Sequence, residues 1–136
     1  MKASFAFEKE GKHTFGTVYR PIARIFFKSP KEEIWVGIRL VVDTGADFTI
    51  LPKYLANNLK ISLTKDCKKD ESIGIGGTQI IYLYKKKLKI KVGELIREVP
   101  VAFFDSNELP GLLGRLGFIE TFDVEFLKSH EVIFKD

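Results

Sequence analysis

Short runs in which apolar and polar residues alternate dominate this chain. Residues 15–27 carry Val, Tyr, Ile and Phe at strand-like positions, stop at the turn-forming Lys28-Ser29-Pro30-Lys31, and are followed by a second strand-like run over residues 34–42. The two runs predict a β-hairpin. Residues 80–83, 88–92 and 99–104 read as further strands, with a turn at Gly93-Glu94. Residues 122–126 and 131–134, joined through Lys128-Ser129-His130, predict a closing hairpin. The first dozen residues, where Phe5 and Phe7 alternate before Gly11, fit either an additional hairpin or a terminal arm.

Helical signals are sparse. Residues 53–59 have helical composition with Leu55 and Leu59 four apart, and Pro52 suits the first helical position. A second short helix is predicted over residues 115–120. Evenly spaced short strands separated by turns indicate an all-β fold, closed or sandwiched, and 136 residues without a linker or internal repeat indicate one domain, residues 1–136.

Composition changes this picture little. With 45% hydrophobic and 29% charged residues the chain matches ordinary globular proteins. No run approaches the roughly 18 apolar residues of a membrane span, and the N-terminus has no apolar core of signal-peptide length, so the expectation is a cytoplasmic protein with no membrane partner. The net charge of +4 comes from lysines densest at Lys85, Lys86, Lys87, Lys89 and Lys91. Alternation with Leu88, Ile90 and Val92 makes these the wet face of a strand, and no nucleic-acid partner is expected. Cys67, the one cysteine, lies in a charged stretch over residues 60–70 and reads as an incidental surface thiol in a loop. His13 and His130 are isolated, and no metal-ligand spacing is present, so neither metal nor organic cofactor is expected.

One stretch departs from this ordinary pattern. The apolar run ending at Val41-Val42 breaks into Asp43-Thr44-Gly45-Ala46-Asp47 before apolar residues resume at Phe48 and Ile50. A plain turn explains Asp-Thr-Gly, since Asp initiates turns and Gly supplies unusual backbone angles. The flanks, however, would bury such a turn, and a buried carboxylate costs several kcal/mol unless partnered. Two carboxyl groups forced together share one proton, so one can act as base toward water while the other protonates a carbonyl oxygen. Only one Asp-Thr-Gly is present, and a two-fold homodimer would bring Asp43 against its own copy.

The segment from Val41 to Leu51 resembles the active-site loop of retropepsin-like aspartic proteases, the retroviral-type family that includes cellular single-domain members. Ile73-Gly74-Ile75-Gly76-Gly77 resembles the flap tip of that family, and Leu112-Leu113-Gly114-Arg115 its hydrophobic-hydrophobic-Gly motif. The likeness spans about residues 15–134, leaving residues 1–14 as an arm or extra hairpin. It implies a closed β-barrel with one or two short helices, active as a two-fold homodimer on a peptide or protein substrate. Asp43, Thr44 and Gly45 would then be catalytic. Ala46, Asp47, Phe48, Ile73, Gly74, Ile75, Gly76, Gly77 and Leu112 would touch substrate, with Ile50 among the apolar pocket walls. Leu113, Gly114 and Arg115 would support the loop, Arg115 by pairing with Asp47. The longer charged segment before the glycines and Phe48 in place of a polar residue depart from compact viral members.

Two functions fit this reading: an aspartic endopeptidase cutting extended peptides beside apolar residues, and a peptide-binding or dimerisation module of the same fold without meaningful turnover. Retention of Asp, Thr and Gly together favours the first.

Overall fold

The computed structural model describes residues 1–74 and 76–136. Among the described residues twelve strands are formed: β1 (Lys2–Ala6), β2 (Glu8–His13), β3 (Gly16–Arg20), β4 (Ile22–Lys28), β5 (Trp35–Val42), β6 (Thr49–Leu51), β7 (Cys67–Gly74), β8 (Gly77–Val92), β9 (Leu95–Phe104), β10 (Leu112–Leu113), β11 (Asp123–Leu127) and β12 (Glu131–Lys135). One helix, α1 (Lys53–Asn58), follows β6, and a 3-10 turn spans Ile119–Thr121.

The main sheet runs β4-β5-β10-β6-β9-β8-β7, and β4 also pairs with β8, which returns the sheet on itself into a ring. Alternation dictates which side of each strand enters the ring. Ala23, Ile25 and Phe27 of β4 are fully buried while Arg24 and Phe26 face outward. In β8, Leu88, Ile90 and Val92 are buried between exposed Lys87 and Lys89, as the sequence pattern requires. β9 lies between β6 and β8, and its residues Val101 to Phe104 are buried without interruption. Each fully buried Leu, Ile or Phe here contributes about 1.5–3 kcal/mol relative to an exposed position.

The predicted hairpins exist, with one division inside the first. Pro21 separates β3 from β4; β4 pairs with β5 from Ile22↔Val41 to Lys28↔Trp35, whereas β3 pairs back onto β2. The N-terminal segment is therefore an extra hairpin, β2–β3, preceded by β1. That strand lines up with the last one, Lys2 opposite Lys135 and Ala6 opposite Glu131, in the sheet β1-β12-β11.

Four expectations change. Pro52 is the N-cap of α1, in extended conformation, rather than its first helical residue, and α1 ends at Asn58 with Leu59 as its C-cap. No helix spans 115–120: Gly117 adopts φ +72°, which a right-handed helix cannot accommodate, so the chain makes turns and then the 3-10 turn at Ile119–Thr121. Residues 60–70 are not wholly loop, since β7 begins at Cys67 opposite Tyr84. Cys67 itself is buried rather than superficial, because the β8 strand and the main core cover it, and burial pushes its thiol up to about 11.

Candidate active site

Asp43 stands one residue beyond the end of β5. Its backbone N–H donates to the Leu113 carbonyl at 3.0 Å, and its Oδ1 accepts the Gly45 N–H at 2.9 Å. The Ala46 N–H closes the turn onto the Asp43 carbonyl at 3.2 Å. A Cβ on Gly45 would lie 3.2 Å from Asp43 Oδ1, so glycine keeps the space beside the carboxylate open. Aspartate thus does initiate a turn, as its simplest reading has it, but this turn is pinned from outside.

β10 and the residues after it hold the loop. Leu112 and Leu113 pair in parallel with Val41 and Val42 of β5, and Leu112 pairs with Ile50 of β6, so β10 threads between the strands that enter and leave the loop. Beyond β10, the Arg115 N–H donates to the Ala46 carbonyl at 3.0 Å and the Leu116 N–H to the Asp47 carbonyl at 2.8 Å. The Arg115 guanidinium reaches Asp47 Oδ1 at 2.7 Å and the Thr44 carbonyl at 3.3 Å. The expected Arg115–Asp47 pair is present, and the same arginine also fixes Thr44.

Gly114 makes the close crossing possible. A Cβ there would fall 2.2 Å from the Phe48 carbonyl carbon and oxygen, so two backbones touch at this point. The Gly114 N–H donates to Thr49 Oγ1 at 3.2 Å, and Thr49 is fully buried. Sequence reasoning overlooked Thr49; a lone hydroxyl inside the apolar run from Phe48 to Leu51 was the available signal, because a buried hydroxyl needs a partner.

The loop is not buried within this chain. Thr44, Gly45 and Asp47 are exposed and Asp43 is half-buried; the burial expected of the flanks falls on Val42, Thr49, Ile50 and Leu51. Among the described residues Asp43 makes no ion pair, and its Oδ2 accepts no hydrogen bond. The Asp43 loop therefore faces outward, firmly held from behind.

The remaining site residues divide into two groups. Ile50 joins Ile81, Ala102 and Phe104 in an apolar cluster apart from the main core, with half-buried Phe48, Leu83, Leu109 and Leu112 packed against it. Ile73 and Gly74 lie instead on the β7–β8 hairpin, where Gly74 pairs with Gly77 at the tip; Ile73 is 85% exposed, and Gly77 has φ +112°. Gly76 belongs to the connecting turn, and Ile75 lies outside the described residues. Gly74 and Gly77 thus end a long two-stranded hairpin.

Two concavities of about 470 and 460 Å³ lie beside the site rather than at Asp43. The first is lined by Arg24, Tyr54, Asn107 and Glu108 among others, the second by residues of β2, β3, β4 and β5 together with Pro110.

Comparison with known proteins agrees with this geometry. No curated protein matches the chain. The fold is similar to that of a retropepsin-like aspartic protease from Rickettsia conorii, with a TM-score of 0.67, 19% sequence identity, and coverage of 98% of both chains. The family model described as "gag-polyprotein putative aspartyl protease" matches residues 36–118, a span that runs from β5 through the Asp43 loop to β10 and Arg115. The all-β chain is a retropepsin-like member of this aspartyl protease family.

Proposed function

We propose that the protein is an aspartic endopeptidase that works as a two-fold homodimer. One observation carries this reading: the Asp43 loop is held rigidly from behind by Leu113, Gly114 and Arg115, yet Thr44, Gly45 and Asp47 are exposed and the Asp43 carboxylate has no side-chain partner among the described residues. A second copy related by a two-fold axis through the loop supplies that partner, because an isologous contact sets each residue near the axis against itself.

In the dimer the two Asp43 carboxyls share one proton, since like charges a few Å apart cannot both ionise. The ionised carboxylate takes a proton from a water held between them, and that water attacks the peptide carbonyl. The protonated carboxyl delivers its proton to the carbonyl oxygen, giving a neutral tetrahedral diol; proton transfer to the amide nitrogen then releases the amine. Thr44, exposed at the rim, links the two loops. The cluster around Ile50 and Ile81, rimmed by Phe48 and Leu112, receives an apolar side chain next to the cut. The β7–β8 hairpin folds its glycine tip over an extended peptide bound as an added strand.

The test is digestion of an unfolded protein by wild type and Asp43→Asn from about pH 3 to 8, spanning carboxyl titration, with sedimentation of both. Cleavage by the wild-type dimer alone, with a bell-shaped pH profile, is the expected result. Cleavage by both, or by neither while both are dimeric, overturns the reading; retained peptide affinity in the latter case would mark a binding module.

A further inference from the structure

The β2–β3 hairpin lies outside the segment matched by the family model, and it is poorly covered by the rest of its own chain: Phe15 at its tip is 95% exposed, and most of its residues face solvent. Its base, in contrast, is tied to β5 by one ion pair, and a second ion pair braces the hairpin internally. Arg39 of β5 engages Glu8 through both Nε, at 2.9 Å from Oε2, and a terminal nitrogen, while Arg20 engages Glu10. The β2–β3 register slips between Lys9 and Gly11, leaving Glu10 in a β-bulge. Bulges re-aim side chains, which lets the consecutive Glu8, Lys9 and Glu10 all line one concavity of about 460 Å³.

The opposite wall of that concavity leads toward Asp43. Side chains two apart on a strand share a face, so Arg39 and Val41 lie on the same side of the sheet, and Asp43 follows two residues after Val41, one residue past the end of β5. Val41 lies in the concavity, and at about 3.3 Å per residue it stands roughly 7 Å along the chain from Asp43. Ile22, opposite Val41 in the ladder, continues the same wall. The concavity is thus a side groove that reaches Val41, two residues before Asp43 in the chain, with the extra hairpin as its outer wall.

The charge inside it is unbalanced. Arg20 and Arg39 are neutralised by Glu10 and Glu8, whereas Lys9 makes no ion pair among the described residues. We propose that this groove is an additional subsite, remote from the cut, which selects an acidic side chain of the peptide substrate through Lys9. The assignment rests on the protease reading for its consequence in catalysis, but the groove and its preference exist whether or not turnover occurs.

The experiment compares two fluorescently labelled extended peptides, identical except for Glu or Lys at successive positions three to five residues from a central apolar pair. Each is presented to the wild type and to Lys9→Glu, reading both binding by anisotropy and cleavage as kcat/KM, at low and high salt. In the wild type, the Glu peptide is expected to bind and react about threefold better at one position, the preference shrinking in high salt and reversing in Lys9→Glu. A kcat unchanged with a shifted KM places the effect in binding. Equal binding of both peptides, an unaltered preference in Lys9→Glu, or no binding of either peptide overturns the subsite. Binding with the expected preference but no cleavage keeps the subsite and removes the protease reading instead. Deletion of residues 8–20 with a Gly-Ser bridge is the second variant: loss of the preference supports the groove, while activity raised equally toward both peptides shows the hairpin to be a plug rather than a wall.

Discussion

Replacing Gly114 by alanine would place a methyl carbon 2.2 Å from the Phe48 carbonyl group and 2.6 Å from its Cα. Neither partner can yield cheaply. The Phe48 backbone leads directly into β6, whose Thr49 holds the Gly114 N–H, and the Leu113 carbonyl on the other side holds the Asp43 N–H. Forcing a methyl into a packed site typically costs 1–3 kcal/mol, and here the obstacle is main chain rather than a side-chain end, so the expected loss is about 3 kcal/mol or more. Since Gly114 does not have positive φ, the loss reports crowding and not backbone preference. Denaturant unfolding followed by fluorescence gives the comparison, with Gly74→Ala as the control, because a Cβ at Gly74 meets nothing within 4 Å. The control should stay within about 0.5 kcal/mol of wild type, while Gly114→Ala loses about a hundredfold in its folded-to-unfolded ratio. Equal midpoints for the two variants would refute the idea that backbone contact at Gly114 fixes the Asp43 loop.

Two further outcomes follow from charge and burial. The hydrogen bond from Arg39 holds the Glu8 carboxyl below its usual range; with a lowered folded-state pKa, the clamp on the β2–β3 hairpin is complete above the ordinary glutamate value of about 4.3 and is lost only as pH falls through the lower one. Amide chemical shifts of Gly11 and Gly16 in a pH titration should therefore move with a midpoint below that ordinary value, and a midpoint at or above it would contradict the clamp. Cys67, buried and pushed from 9.0 to about 11, should carry about a hundredfold less thiolate at neutral pH than an ordinary thiol; slow alkylation in the folded protein and fast alkylation in denaturant check this, and equally fast reaction in both would contradict it.

Local chemistry was legible wherever it determined the structure. Alternation around Leu88, Ile90 and Val92 gave the correct buried face, and the break at Asp43 marked a loop held by hydrogen bonds to the segment from Leu113 to Leu116. The Arg115–Asp47 pair, implied by the family resemblance, is present at 2.7 Å. What escaped depends on distant partners. Cys67 sits among charged residues in sequence, yet strand pairing with Tyr84 and the fold of the core cover it. The helix expected after Gly114 failed at Gly117, where a Cβ would meet Pro100 at 2.3 Å and φ is positive; the glycine was visible, but its contact with β9 was not. Likewise, Pro21 gave no local sign that the strand before it would leave the ring for β2, or that Glu8 and Glu10 would find Arg39 and Arg20.

The pairing of β1 with β12 also sets the order in which the molecule is completed during synthesis. Residues 2–6 are made before their partner, residues 131–135, which emerges after everything between them. At roughly 5–20 residues per second, β1 waits about 6–26 s on the ribosome without its ladder. The ring from β4 to β10 can form meanwhile, so the β1-β12-β11 sheet closes after the ring, and a chain halted before β12 leaves β1 as an open edge available to a neighbouring molecule.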